Sequence, residues 1–180
     1  MNVLIGGAGP TGLLLSAERQ RRGVGCRLID ANPGPLPWDR ATVVHPRSLE
    51  VFESLGLIDR FLAAGVKQKF ARLHSFGNVL GEIDLSSCGS RYGFNLGISE
   101  EVTETILGDY LRRHGGDVVR SSRLVALQAS ADGVSATLEG DGSSEEISAA
   151  WVVGCDGLHS TTREASGITL AGHDIPEPWA

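Results

Sequence analysis

The sequence is poor in cysteine and has no long run of either positive charge or apolar residues. Its three cysteines, Cys26, Cys88 and Cys155, are odd in number and never stand as C-x-x-C. That excludes a disulfide framework and a zinc knot, and it points to a reduced, cytoplasmic protein. His74, His114, His159 and His173 lack the partner spacing of a metal site, so no metal is expected. A net charge of -6 without a Lys/Arg run argues against a nucleic-acid partner. The longest apolar stretch, Val3 to Ala17, is shorter than the roughly 20 residues of a membrane span. Gly6, Gly7, Gly9, Pro10 and Gly12 also interrupt it. The start of the chain carries neither the basic residues nor the small-residue cleavage site of a signal peptide.

What is present is ordinary globular composition, 41% hydrophobic and 21% charged over 180 residues, enough for one buried domain or part of a larger one. Val3–Ile5 reads as a buried strand, Pro10–Arg22 as a helix closed by Gly23 and Gly25, and Cys26–Ile29 as a second strand ending at Asp30. The prolines of "NPGPLPWDR" make a loop. Ser48–Ala64 has apolar residues at helical spacing and reads as one amphipathic helix. Arg72–Phe76 and Glu82–Leu85 flank "GN" and read as a hairpin. Glu101–His114 is a clear helix. Short strands follow at Val118–Arg120, Leu124–Ala129 and Val134–Leu138, the last two joined through Asp132-Gly133. Trp151–Val153 is a further apolar strand, with a short helix from Ser160. The order predicts an α/β domain with β-excursions.

Gly7-Ala8-Gly9-Pro10-Thr11-Gly12 matches G-x-G-x-x-G in the context that gives the motif meaning: after a strand, opening a helix, within a βαβ unit of about 30 residues. Gly7 permits a tight turn, Gly9 lets a pyrophosphate approach the backbone, and Gly12 lets the helix pack on the strand. The helix start offers unpaired N–H groups and a positive dipole end to an anion. Asp30, at the end of the second strand, stands where an acid accepts hydrogen bonds from an adenosine ribose. The motif alone does not separate NAD(P) from FAD.

Two further stretches do: "DRATVVHPRSLEVFESLGL" and "WVVGCDGLHSTTREASGI". With the opening glycines they resemble the FAD-dependent aromatic hydroxylases, the single-component (group A) flavoprotein monooxygenases of the para-hydroxybenzoate hydroxylase type, over essentially the whole chain. That family pairs the fingerprint with an Arg-Ala segment, here Arg40-Ala41, and a C-D-G-x-x-S-x-x-R motif, here Cys155 to Arg163. The resemblance implies a Rossmann-like FAD-binding domain with a three-stranded antiparallel β-excursion and the start of a substrate-domain sheet. Residues 1–180 would be that domain, incomplete, with about 70–98 reaching toward the substrate domain. It assigns Gly7, Gly9, Pro10, Thr11 and Gly12 to the FAD pyrophosphate and Asp30 to the ribose. Arg40, whose guanidinium suits phosphate oxygens, goes to the ribityl-pyrophosphate part. Asp156 goes to a motif implicated in both FAD and NAD(P)H binding, and His45 to a segment near the flavin ring. The implied reaction takes electrons from NADPH or NADH, uses molecular oxygen and hydroxylates a small phenolic or polycyclic aromatic substrate.

The pattern departs from the family in three places. Ser99-Glu100 replace a common Pro-Gln pair whose glutamine touches the cofactor, so Glu100 brings a negative charge to a cofactor-binding position. Residue 6 is glycine where a β-branched residue is usual. Nothing matches the family's later Gly-Asp motif, so the chain is expected to be a portion of a longer enzyme. Two other classes stay open: a non-catalytic dinucleotide-binding module, and an NAD(P)-dependent dehydrogenase, disfavoured by the C-D-G motif. The only lysines, Lys67 and Lys69, follow no tyrosine at Tyr-x-x-x-Lys spacing, which removes the short-chain dehydrogenase reading.

Overall fold

The computed structural model describes residues 1–35 and 42–173. In chain order its elements begin with β1 (Val3–Gly6), α1 (Pro10–Arg21), β2 (Cys26–Ile29), β3 (Val43–Val44), α2 (Pro46–Ser54) and α3 (Ile58–Ala64). There follow β4 (Val66–Gln68), β5 (Phe70–Ser75), β6 (Asn78–Asp84), β7 (Asn95–Gly97) and α4 (Glu100–Arg113). The chain continues with β8 (Val118–Val119), β9 (Arg123–Ser130), β10 (Gly133–Gly140), β11 (Ser143–Ala149), β12 (Trp151–Gly154) and α5 (Thr161–Ala165). These elements divide into two compact units, Met1–Pro33 with Gly116–Ala180, and Gly34–Gly115.

The first unit holds a parallel sheet in the order β12-β1-β2-β8. Its central strand β1 is buried along its whole length, as a near-continuous apolar run must be when both faces are covered. A three-stranded antiparallel sheet, β11-β10-β9, belongs to the same unit. Leu4 and Ile29 of the parallel sheet join Leu124, Ala136, Leu138, Ile147 and Ala149 of the antiparallel one in a single core. The antiparallel excursion exists as expected, but its strands differ. Val118–Val119 pairs with β2 in the parallel sheet, and the third antiparallel strand is Ser143–Ala149, whose polar sequence hides it. Its two inward residues, Ile147 and Ala149, suffice because Asp141 (φ 49°) and Gly142 (φ 74°) form the two-residue hairpin turn that sets the register.

In the second unit the expected single helix Ser48–Ala64 is two helices, α2 and α3. Gly56, at φ 70°, ends α2: its N–H donates to the Glu53 carbonyl and the Leu57 N–H to that of Phe52, a Schellman closure. Phe52 and Phe61 stack at 4.1 Å across the break, so the helical spacing of apolar residues survives it. The β5–β6 hairpin turns at Phe76-Gly77, with Asn78 already in the second strand. α4 starts at Glu100, capped by the Ser99 hydroxyl, which accepts from the Val102 N–H.

The core of the first unit makes a direct prediction. Leu138, 2% exposed, should cost about 2–5 kcal/mol when changed to alanine. Leu80, 69% exposed, should change stability by no more than about 0.5 kcal/mol. Urea unfolding of both variants checks the contrast.

Candidate dinucleotide site

All four strands of the parallel sheet run the same way, so the loops that follow them emerge at one edge, where open α/β sheets place ligands. Those loops are the glycine turn after β1, Asp30 to Asn32 after β2, Arg120 to Ser122 after β8 and the C-D-G segment after β12. Backbone hydrogen bonds extend the sheet into them. The Gly7 N–H donates to the Ile29 carbonyl (2.9 Å), Asp30 to Val119 (2.9 Å), Cys155 to Gly6 (2.7 Å) and Ser122 to Asp30 (2.9 Å).

Gly7 and Gly12 are required by crowding as well as by conformation. Gly7 has φ 96°, and a Cβ there would lie 2.3 Å from the Cys155 carbonyl oxygen. A Cβ on Gly12 would lie 1.9 Å from the Gly7 carbonyl oxygen. The glycine turn is therefore pressed between the start of α1 and the C-D-G segment. α1 itself begins at Pro10 with Gly9 as its N-cap, and no side chain caps it. Its first turn carries no acidic residue. The positive end of the helix dipole and the amide groups of that turn are thus left for an anion from outside.

Asp30 faces the same turn. One carboxylate oxygen accepts from the Ala8 N–H (2.7 Å) and the other from the Asn32 N–H (2.8 Å), with the Arg120 guanidinium 3.8 Å away. Asp156 is held by the residues that follow it. It accepts from the Ser160 hydroxyl (2.6 Å), the Thr162 N–H (3.0 Å) and the Thr162 hydroxyl (3.1 Å). Burial pushes its carboxyl up, but these hydrogen bonds outweigh burial and hold it below the ordinary carboxylate value. Burial, and then the Asp156 charge, push the neighbouring Cys155 thiol up. Ser160 also caps α5, accepting from the Arg163 N–H (3.0 Å), and Arg163 donates to the Leu158 carbonyl (2.7 Å). A cleft of about 120 Å³ is lined by Gly7, Asp30, Asn32, Arg123, Asp156 and His159, among others.

Of the residues singled out in the sequence, the structure brings Gly7, Asp30 and Asp156 around one cleft, with Gly9, Pro10, Thr11 and Gly12 continuing the turn into α1. Arg40 lies outside the described residues. Glu100 belongs to the second unit, where it and Glu101 form the first turn of α4, a position that favours acids through the helix dipole. His45 lies in the same unit, its Nδ1 3.1 Å from the Asn95 side-chain oxygen, and Arg47 pairs with Glu50. The Ala8 N–H, Asn32 and Arg120 have no sequence signal, because their role depends on neighbours brought in by β2 and β8. Ser160 and Thr162 could have been found: a serine before a short helix, with an acid upstream, is a capping signature. Among the described residues no cluster of His, Cys, Asp and Glu could hold a metal, and no helix is long and apolar enough to cross a membrane.

Residues 1–180 match the family described as FAD binding domain, and the chain belongs to that family, whose ligand is FAD. It is 38% identical over 179 residues to 6-methylpretetramide 4-monooxygenase of Streptomyces rimosus, covering 98% of this chain and 32% of that protein. It is 35% identical to pentachlorophenol 4-monooxygenase of Sphingobium chlorophenolicum, covering 97% of this chain and 33% of that protein. The anhydrotetracycline hydroxylase structure from Streptomyces rimosus superposes with a TM-score of 0.84 at 32% identity, over 96% of this chain and 35% of that one. Aklavinone-11 hydroxylase, solved with FAD and aklavinone, superposes at 0.82 with 28% identity, over 96% of this chain and 36% of that one. The chain thus spans about a third of the length of these relatives, and its fold is the Rossmann-like α/β fold of FAD-binding aromatic hydroxylases.

The crowding and the charge can each be tested by substitution. Gly12→Ala should cost about 3 kcal/mol or prevent folding, since its methyl group meets backbone. Gly25→Ala, with open space around its Cβ, should stay within about 0.5 kcal/mol. Thermal melting separates the two. Because the folded Asp156 carboxyl sits below its unfolded value, its contribution is present above the ordinary carboxylate range and is lost as pH falls through the folded value. Asp156→Ala should therefore cost about 1–3 kcal/mol at neutral pH and shrink the loss of stability on acidification. Melting curves from neutral to acid pH check the sign.

Proposed function

We propose that the chain is the FAD-binding portion of an NAD(P)H-dependent flavin monooxygenase that hydroxylates a phenolic or polycyclic aromatic substrate. The observation that carries this is the glycine turn, with backbone too crowded for any side chain at Gly7 and Gly12, opening an uncapped helix beside Asp30 and the C-D-G segment. A cradle that a Cβ would fill and a helix start without an acid suit a pyrophosphate. The relatives supply the chemistry: a pentachlorophenol and a 6-methylpretetramide monooxygenase are aromatic oxidation enzymes by name.

In this reading Gly7, Gly9, Pro10, Thr11 and Gly12 hold the pyrophosphate, and Asp30 faces the adenosine ribose. The family resemblance assigns Arg40 to the ribityl-pyrophosphate part and Glu100 to the position of the family's glutamine. Asp156 orders the Ser160–Thr162 turn and so fixes the shape of the C-D-G segment, the element that serves FAD and NAD(P)H. Bound FAD supplies the electron transfer from NADPH or NADH and the activation of molecular oxygen. The protein's part is to bind, orient and exclude water. Residues near 70–98 reach toward the substrate domain: Phe70, Leu73, Val79, Leu80 and Ile83 of the β5–β6 hairpin are each at least half exposed, as a surface awaiting cover would be. A reducing, cytoplasmic setting suits the free thiols of Cys26, Cys88 and Cys155.

The test is the absorption spectrum of the purified full-length protein. A flavin spectrum that bleaches on anaerobic addition of NADPH or NADH, with an aromatic compound accelerating the bleaching, is the expected result. A protein that binds no flavin, or binds NAD in its place, overturns the reading.

A further inference from the structure

We propose that Asp30 acts on the dinucleotide phosphates as a positioning residue, by tethering the glycine turn, and not only on the ribose. The inference rests on the FAD reading above and concerns how the site holds its shape. Two consecutive N–H groups of the turn are bound to the end of β2: that of Gly7 by the Ile29 carbonyl (2.9 Å) and that of Ala8 by an Asp30 carboxylate oxygen (2.7 Å). The first bond continues the sheet and is available to any sequence. The second needs an acid at residue 30, with a side chain short enough to turn back on β1. The other oxygen accepts from Asn32 (2.8 Å), so the carboxylate is gripped on both sides, and its side chain is only 12% exposed.

The consequence is directional. A carboxylate bond to a backbone N–H is charge-assisted and about twice as strong as a neutral one. It fixes the Gly7–Ala8 peptide, one residue before Gly9, the N-cap of α1, and so the approach of the chain to the uncapped first turn. Without that tether the step from Ala8 to Gly9, between the crowded Gly7 and α1, has more freedom, and an anion binding there must order it first. Asp30 therefore lowers the ordering cost of phosphate binding through Ala8, without touching phosphate, where its own charge would repel. The Arg120 guanidinium, 3.8 Å from Asp30, offsets that charge at the ribose end.

The experiment compares full-length protein with its Asp30→Asn variant, using ADP and 2′,3′-dideoxy-ADP as probes, with amide hydrogen exchange at Ala8 as an independent readout. An asparagine side chain offers one neutral acceptor oxygen in place of the two charged oxygens that Ala8 and Asn32 use. The substitution is expected to weaken both probes by a similar factor, about tenfold, the scale of one charge-assisted hydrogen bond. Ala8 exchange should quicken while Gly7, held by Ile29, stays slow. A loss seen with ADP but absent with the dideoxy compound means that Asp30 works through the ribose hydroxyls alone, and overturns the tether. Ala8 exchanging in the wild-type protein as fast as an exposed amide overturns it too, even if the variant fails to fold. If wild-type protein binds neither ADP nor FAD, the FAD reading falls and takes the ligand part of this proposal with it. Normal wild-type binding with an indifferent variant removes the tether alone.

Discussion

Three backbone segments meet at Gly7 closer than any side chain permits, and the first unit is arranged around that meeting. The Cys155 carbonyl would stand 2.3 Å from a Cβ on Gly7, and the Gly7 carbonyl 1.9 Å from a Cβ on Gly12. The start of the chain and a segment that follows β12 are thereby locked together, with β12 and β1 hydrogen-bonded along Val3–Gly6. The motif after β12 and the opening glycine motif are one construction. The closeness also explains why the turn presents backbone rather than side chains at the sheet's edge.

The acids near this edge are occupied rather than free. Asp156 commits its oxygens to Ser160 and Thr162, and Asp30 to Ala8 and Asn32. α4 and α5 have serine caps, Ser99 and Ser160, whereas α1, α2 and α3 have no side-chain cap, and of these three only α1 opens from the glycine turn. The N-terminus of this uncapped helix adjoins the glycine turn. In the proposed reading, the phosphate supplies at the start of α1 what the serine hydroxyls supply at α4 and α5.

Much of this was legible in the sequence. β1, α1 and β2 fell almost where apolar runs, Pro10 and the flanking glycines put them, because each element is specified by its own residues. The paired motifs told where the glycines and the C-D-G segment belong. What was hidden depends on contacts distant in sequence. β11 is nearly all polar, so only its hairpin turn and Ile147 betray it. Val118–Val119 looks like any short strand until β2 claims it. The break at Gly56 is masked because Phe52 and Phe61 restack across it. The hydrogen bonds that Asp30 accepts come from backbone N–H groups, which no side-chain pattern can announce.

We propose that the turn from Gly7 to Gly12 receives the pyrophosphate of FAD. Hydrogen–deuterium exchange of the full-length protein, with and without saturating FAD, is the decisive measurement. Exchange in the peptide from Gly7 through the first turn of α1 should slow when FAD binds. Unchanged exchange in that peptide while FAD is fully bound would contradict it, and would move the cofactor's phosphates elsewhere in the protein.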